Sequence, residues 1–339
     1  MADMALRSRR EPPPISACKG RVGVFRALHL GDMLCAIPAL RALRNHCPSA
    51  HITLIGLPWA REIATRLPEY IDDFLPFSGH PQLPERLARE TEYRQFVDSF
   101  PTNFEWLIQL HGDGHVTNGL LEEWPADFRA GFVPQGQPAP SAFWCHYPDG
   151  HEIDRLLRLM SVLGASGSSR LAFPVSAEDF RALEGVPELR TVSDSPYVVV
   201  HVGSRGPDRR LPIQFFAEVA KFLADRARVV FTGTSEECDL TRSLAQSIPR
   251  AVDAAGLTTL GMLAALLSRA RLVVTNDSGP SHLCAALDVP SLVIVSGSDP
   301  VRWGPKNRVR HRLLDARSGS SLNTIVRAVA DLWSSLEPL

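Results

Sequence analysis

Short apolar runs alternate with amphipathic stretches along almost the whole chain, and this leaves few folds open to it. Arg21-Val22-Gly23-Val24-Phe25-Arg26-Ala27 reads as a buried strand, and residues 33–45, with Leu34, Ile37, Leu40 and Leu43 at helical spacing, as a helix. The order then recurs: strand 51–57, helix near 59–67, strand 71–77, helix 84–100, strand 105–110. Beyond a Gly-, Pro- and aromatic-rich stretch at 112–150, expected as long loops, comes a helix from 152 to 164. A second series has strands at 197–202, 228–232, 271–275 and 292–295, with helices near 213–224, 236–248, 260–270 and 281–287. Strands separated by helices predict parallel sheets covered on both faces. The chain has 339 residues, enough for about two domains of ordinary size. The expectation is an α/β protein of two facing, doubly wound, Rossmann-like domains with a deep cleft between them. Their limits are set at 21–175 and 176–320, after a flexible tail at 1–20. A terminal helix at 321–339 is expected to pack back towards the N-terminal domain.

Composition narrows the function. Hydrophobic residues at 45% exclude a disordered chain. Lys and Arg number 36 against 37 Asp and Glu, a net charge of −1, so no global field draws the protein to nucleic acid. The densest apolar run, Ser291-Leu292-Val293-Ile294-Val295-Ser296, has the length of a buried strand, far short of the roughly 18 residues that span a bilayer. At most a peripheral membrane contact is expected. Residues 1–20 hold Arg7, Arg9, Arg10 and Pro12-Pro13-Pro14 but no secretory signal, which implies a cytoplasmic protein. The cysteines at 18, 35, 47, 145, 238 and 284 form no C-x-x-C pair and are read as free thiols.

Open parallel sheets bind ligands outside the carboxyl ends of their strands, which singles out three loops. In Gly31-Asp32, after the first strand, Asp32 either caps the next helix or presents a general base. Val202-Gly203-Ser204-Arg205-Gly206, continuing to Arg209-Arg210, offers amides, a hydroxyl and guanidiniums suited to a diphosphate, or is a solvated charged loop. Asn276-Asp277-Ser278-Gly279-Pro280-Ser281-His282 joins a strand to a helix whose first amides attract anions; the alternative is an ordinary turn capped by Ser278 or Asp277. His282 either faces the same ligand or packs in the core. Two clusters with metal-ligand residue types, His111-Gly112-Asp113-Gly114-His115 and Cys145-His146 with His151, form no complete site, and no metal is expected. The G-x-S-x-G elbow of serine hydrolases and the G-x-G-x-x-G fingerprint of dinucleotide enzymes are missing.

With these loops placed, the chain resembles glycosyltransferase family 9, the ADP-heptose heptosyltransferases of bacterial lipopolysaccharide assembly. The resemblance rests on Leu30-Gly31-Asp32-Met33 running into Pro38-Ala39-Leu40-Arg41, and on Asp277-Ser278-Gly279-Pro280-Ser281-His282. It also rests on Asp299-Pro300-Val301-Arg302-Trp303-Gly304-Pro305. His201 to Pro212 is similar to the family's diphosphate loop, and Thr232-Gly233 with Glu236-Glu237 to its ribose segment. Arg209 stands where the family usually has Lys, and Leu211 where it has Trp.

The resemblance implies the GT-B fold and an inverting, metal-independent transfer of a sugar, heptose from ADP-heptose, to a hydroxyl of a lipopolysaccharide core or other surface glycan. Asp32 would be the catalytic base. Ser204 and Arg209, with Arg205 beside them, would hold the diphosphate, and Glu237, or its neighbour Glu236, the donor ribose. Asp277 would hold sugar hydroxyls, with Ser278, Gly279 and His282 around the donor. Arg61 and Arg66 are candidates for an acidic acceptor sugar, or belong to a solvated helix face. No cofactor beyond the nucleotide-sugar substrate is implied, and the chain is expected to act as a monomer. The rival readings are a sugar-nucleotide epimerase and a non-catalytic nucleotide-sugar-binding protein.

Overall fold

The computed structural model describes residues 14–206 and 209–336. The chain divides into two compact units, Met1–Arg170 and Leu171–Leu339. The division falls five residues before the expected boundary. Most of the predicted tail, including Arg7, Arg9 and Arg10, lies outside the described residues, as do Pro207 and Asp208. Residues 15–18 are no tail: Ile15 and Cys18 are buried, and the Cys47 thiol donates to the Ile15 carbonyl at 3.1 Å.

The first unit is built on β1 (Arg21–Phe25), β2 (His51–Gly56), β3 (Asp73–Pro76), β4 (Phe104–Gln109), β5 (Phe128–Val133) and β6 (Trp144–His146). They form a six-stranded sheet in the order β3-β2-β1-β4-β5-β6, with every pairing parallel. Its helices are α1 (Leu30–His46), α2 (Arg61–Arg66), α3 (Glu90–Asp98), α4 (Thr117–Glu123) and α5 (Glu152–Val162). β1 sits at the centre, and after Arg21 its residues are buried. Apolar side chains on both faces of a parallel sheet produce such a run. On one face Phe25 meets Trp124 edge-on, with centroids 4.9 Å apart, inside a cluster that includes Phe77, Phe96 and Phe100.

Two expectations fail here. Residues 84–89 are not helical, and α3 begins only at Glu90, where Glu92 accepts from the Arg89 amide at 2.8 Å. The stretch 112–150, expected as loops, holds α4, β5 and the three-residue edge strand β6: its glycines and prolines mask their periodicity.

The second unit repeats the plan with α6 (Ala177–Glu184), β7 (Tyr197–His201), α7 (Ile213–Ala224), β8 (Arg228–Thr232), α8 (Cys238–Ser247), β9 (Val252–Asp253) and α9 (Leu260–Ser268). It continues with β10 (Val273–Asn276), α10 (Gly279–Ala286), β11 (Ser291–Val295), α11 (Pro300–Trp303), β12 (His311–Asp315) and α12 (Leu322–Ser334). Its sheet runs β12-β11-β10-β7-β8-β9, again parallel throughout. The outer strands β9 and β12 escaped the sequence reading because one is two residues long and the other is broken by charges. The terminal helix α12 buries its apolar stripe of Ile325, Val329 and Leu332 in the core of its own unit, with Phe216, Val219 and Leu223 of α7.

Each sheet reverses its direction of winding between its first and fourth strands: β1 and β4 in one unit, β7 and β10 in the other. The carboxyl ends of those strand pairs are the crevices where such sheets take ligands. Asp32 follows β1, Ser204 follows β7 and Asp277 follows β10. Among the described residues no helix is long and apolar enough to cross a membrane.

Candidate functional site

In the first unit the crevice is organised by a residue that the sequence reading passed over. Arg26, at the end of β1, is fully buried. Its Nε donates to the Asp32 backbone carbonyl at 2.9 Å, one Nη donates to the Leu110 carbonyl, and Nη2 lies 3.0 Å from Glu152 Oε1. The same Nη2 is 3.9 Å from Asp32 Oδ1. Burial opposes the guanidinium's charge, but the Glu152 and Asp32 carboxylates outweigh it and hold Arg26 above its ordinary pKa. A charged residue ending an apolar strand was the available signal.

Asp32 is not the N-cap residue of its helix. Helix α1 starts at Leu30 with His29 as its N-cap residue, so Asp32 sits in the first turn, not before it. Its side chain keeps 25% of its exposure.

Glu85 comes to the same place from the loop misread as helix. Its Oε2 is buried without a hydrogen-bond partner and stands 3.9 Å from His111 Nε2. Burial first, with the Asp32 charge adding to it, holds the Glu85 carboxyl above its usual range. His111 stacks on Phe25 at 5.2 Å, and its Nδ1 accepts from the Ala27 amide at 3.2 Å. Burial, seconded by Arg26, lowers it to about 3, so at neutral pH it is an uncharged imidazole. The acceptor candidates are engaged elsewhere: the Arg61 guanidinium lies 4.9 Å over the Phe74 ring, and Arg66 pairs with Glu62 at 2.9 Å.

In the second unit the loop after β7 is pinned by Asn276, another residue given no role in advance. Its buried Nδ2 donates to the Val202 carbonyl at 2.9 Å, and its Oδ1 accepts from the Leu211 amide at 3.4 Å. Ser204 is buried, and its carbonyl accepts from Arg210 Nε at 2.6 Å. Arg210, not Arg209, is thus the guanidinium folded into the loop, and its Nη2 reaches Glu237 Oε1 at 3.4 Å. Arg205 and Arg209 are exposed at the surface, and partial desolvation, with the neighbouring Arg209 charge, holds Arg205 below its usual pKa. Two cations held near one another at a strand end suit a diphosphate.

Of the adjacent glutamates, Glu237 is buried and Glu236 exposed. Glu237 Oε2 accepts from the Thr234 amide at 2.8 Å and its hydroxyl at 3.1 Å. A Cβ on Gly203 would collide with both oxygens of that carboxylate, so a side chain there would displace Glu237 from its place. His201, beneath it, contacts Thr232 Oγ1 at 3.0 Å and is lowered by burial to about 4.

Asp277 follows β10 and is also buried. Its Oδ2 accepts from the Ser298 hydroxyl, and its Oδ1 has no hydrogen-bond partner. Ser278 is the N-cap residue of α10 but makes no side-chain cap bond; its hydroxyl turns to the Asn276 carbonyl at 3.3 Å, leaving Gly279 to open the helix. His282 is buried and meets the Trp303 ring edge-on at 6.2 Å. Ser298, just before Asp299-Pro300, carries no role in the sequence reading; its bond to Asp277 spans 21 positions and appears only in the folded chain. Among the described residues no group of three or more His, Cys, Asp and Glu is placed to hold a metal ion.

Two buried neutral imidazoles have a consequence for stability. His111 and His201 bind a proton in the unfolded chain below about pH 6.5 but in the folded chain only near pH 3 and 4. The unfolded state therefore binds more protons between those limits, and stability falls as pH drops from 6.5 towards 4, by about 1–2 kcal/mol per group at pH 5. Denaturant unfolding at pH 7 and pH 5 measures the fall, and His111→Gln is expected to flatten it. An equal slope in that variant would contradict this.

Two all-parallel sheets with the same winding, each with polar groups gathered at its switch point, are the architecture of the GT-B fold. A solved family-9 glycosyltransferase from Veillonella parvula superposes with a TM-score of 0.76 over 94% of this chain and 99% of that one, at 22% identity. Escherichia coli heptosyltransferase WaaC with ADP gives 0.69 over 92% and 99%, at 20% identity. In sequence, lipopolysaccharide heptosyltransferase 2 of Salmonella typhimurium is 24% identical over 80% of this chain and 81% of its own. Residues 166–321 match the profile of Glycosyltransferase family 9 (heptosyltransferase). The second half of the chain thus matches family 9, and over most of its length the chain is similar to heptosyltransferases.

Proposed function

We propose that this enzyme is an inverting, metal-independent heptosyltransferase that moves heptose from ADP-heptose to a hydroxyl of a lipopolysaccharide core or another surface glycan. The observation that carries the reading is Asp32, a partly exposed carboxylate at the switch point of the first sheet, held there by a buried arginine. In this reading Asp32 takes the proton of the acceptor hydroxyl as that oxygen attacks the anomeric carbon from the face opposite the leaving diphosphate. The C–O bond to the diphosphate breaks as the new glycosidic bond forms, so the configuration inverts. Arg205 and Arg209, with the Gly279 amide, offset the charge that grows on the departing ADP. Asp277 binds the sugar hydroxyls and Glu237 the ribose. The reaction is placed in the cytoplasm on a monomeric chain, with at most a peripheral contact to the membrane that carries the acceptor.

Calorimetry with ADP-heptose, ADP, UDP and GDP, without added metal, tests the donor half. Selective binding of the two adenine ligands is expected; preference for UDP or GDP would reassign the donor. Incubation with deacylated lipopolysaccharide core then tests transfer: ADP release must depend on the acceptor, whereas an epimerase would convert the donor alone. Because arginines supply the positive charge, excess EDTA is expected to leave the transfer rate within twofold of its value in magnesium, while a loss of tenfold or more would refute metal independence.

A further inference from the structure

Arg26 is one cation between two carboxylates, and the second has no part in the chemistry so far described. Glu152 opens α5, which packs against α1. It is buried, its Oε1 takes Arg26 Nη2 at 3.0 Å, and its Oε2 takes the Tyr147 hydroxyl at 2.9 Å. The Arg155 guanidinium lies 4.8 Å over the same tyrosine ring. A fully buried glutamate is otherwise costly, and its neighbours determine how much of the Arg26 charge reaches Asp32.

We propose that Glu152 is a positioning residue for Asp32: by holding and partly neutralising Arg26, it keeps the Asp32 carboxylate a strong enough base to take the acceptor proton. The inference rests on the reading of Asp32 as the base. An uncompensated guanidinium 3.9 Å from Asp32 Oδ1 would stabilise the carboxylate and weaken it as a proton acceptor. The Glu152 charge draws Arg26 the other way while leaving its Nε on the Asp32 carbonyl, so orientation is retained without full suppression of basicity. The other titratable groups are Glu85, whose field adds to that of Asp32, neutral His111 bordering Glu85, and Tyr147 bound to Glu152.

The test is a carbon-13 NMR titration of the Asp32 carboxyl, assigned by its loss in Asp32→Asn, in the wild type and in Glu152→Gln. The Asp32 midpoint is expected to fall by about one pH unit in Glu152→Gln, a tenfold change in its acid constant. The acid limb of the transfer profile should move with it, and the plateau rate should drop about threefold. An unmoved midpoint in a folded Glu152→Gln protein would overturn the proposal, because a merely structural glutamate would lower stability alone. Should that variant not fold, Glu152→Asp keeps the charge but withdraws it by one methylene. A midpoint lowered by a few tenths of a unit is then expected, and no movement overturns the proposal. Full transfer by Asp32→Asn would instead sink the base assignment itself, and the titration would report that failure separately from any failure of the coupling.

Discussion

Replacing Asp32 by asparagine is expected to cut sugar transfer by about 10³-fold while leaving the affinity for the nucleotide sugar within about twofold. The amide fits the same space at the start of α1 and can still accept from neighbours, but it cannot take a proton from a hydroxyl as the new bond forms. The expected split between catalysis and donor binding follows from position: Asp32 belongs to the first unit, whereas the loop after β7, Glu237 and Asp277 all belong to the second. Steady-state transfer with calorimetry on the same preparation decides it. Parallel loss of donor binding and turnover would mean that Asp32 supports the donor rather than the proton transfer. A rate within tenfold of wild type would mean that another group is the base, and Glu85, raised above the usual carboxylate range beside it, would become the first candidate.

The second large effect is expected at Asp277. Its carboxylate is buried, one oxygen is held by the Ser298 hydroxyl and the other has no hydrogen-bond partner among the described residues. If a sugar hydroxyl donates to it, Asp277→Ala removes a charge-assisted hydrogen bond of about 1.5–3 kcal/mol. Affinity for ADP-heptose should then fall about 10- to 100-fold, with ADP affinity within threefold, because ADP has no heptose to lose. Equal losses for the two ligands would show that Asp277 holds the loop and not the sugar. Ser298→Ala should reproduce a weaker form of the same pattern, since it leaves the carboxylate in place but no longer fixes one of its oxygens.

The three loops that carry these expectations were legible in the chain, because their chemistry is local. Gly31-Asp32, Gly203-Ser204 and Asp277-Ser278-Gly279 each lie between an apolar strand run and a helical pattern, and both signals fit within a dozen residues. The alternation of the two patterns gave the parallel sheets and hence the side on which ligands bind. Even so, the beginning of α1 was placed too late, which left Asp32 ambiguous between cap and base. The prediction erred where side chains and backbone do not announce their state: residues 84–89 have helical composition yet form the loop that delivers Glu85, and β5, β6, β9 and β12 lie outside the apolar centre of each sheet.

By itself, then, the sequence determined the fold class, the two crevices and most of the polar groups that face them, since strand and helix periodicity and turn chemistry are short-range properties. Tertiary structure alone decided which charges meet. Arg26 and Glu152 are separated by 126 positions and meet because α5 packs on α1. Asn276 reaches back to the Val202 carbonyl because β10 pairs with β7. That Glu237 is buried and Glu236 exposed, and that Arg210 rather than Arg209 bonds the Ser204 carbonyl, likewise required the folded chain. Adjacent residues share every long-range sequence signal but point in different directions, and electrostatic coupling depends on distances that only packing sets.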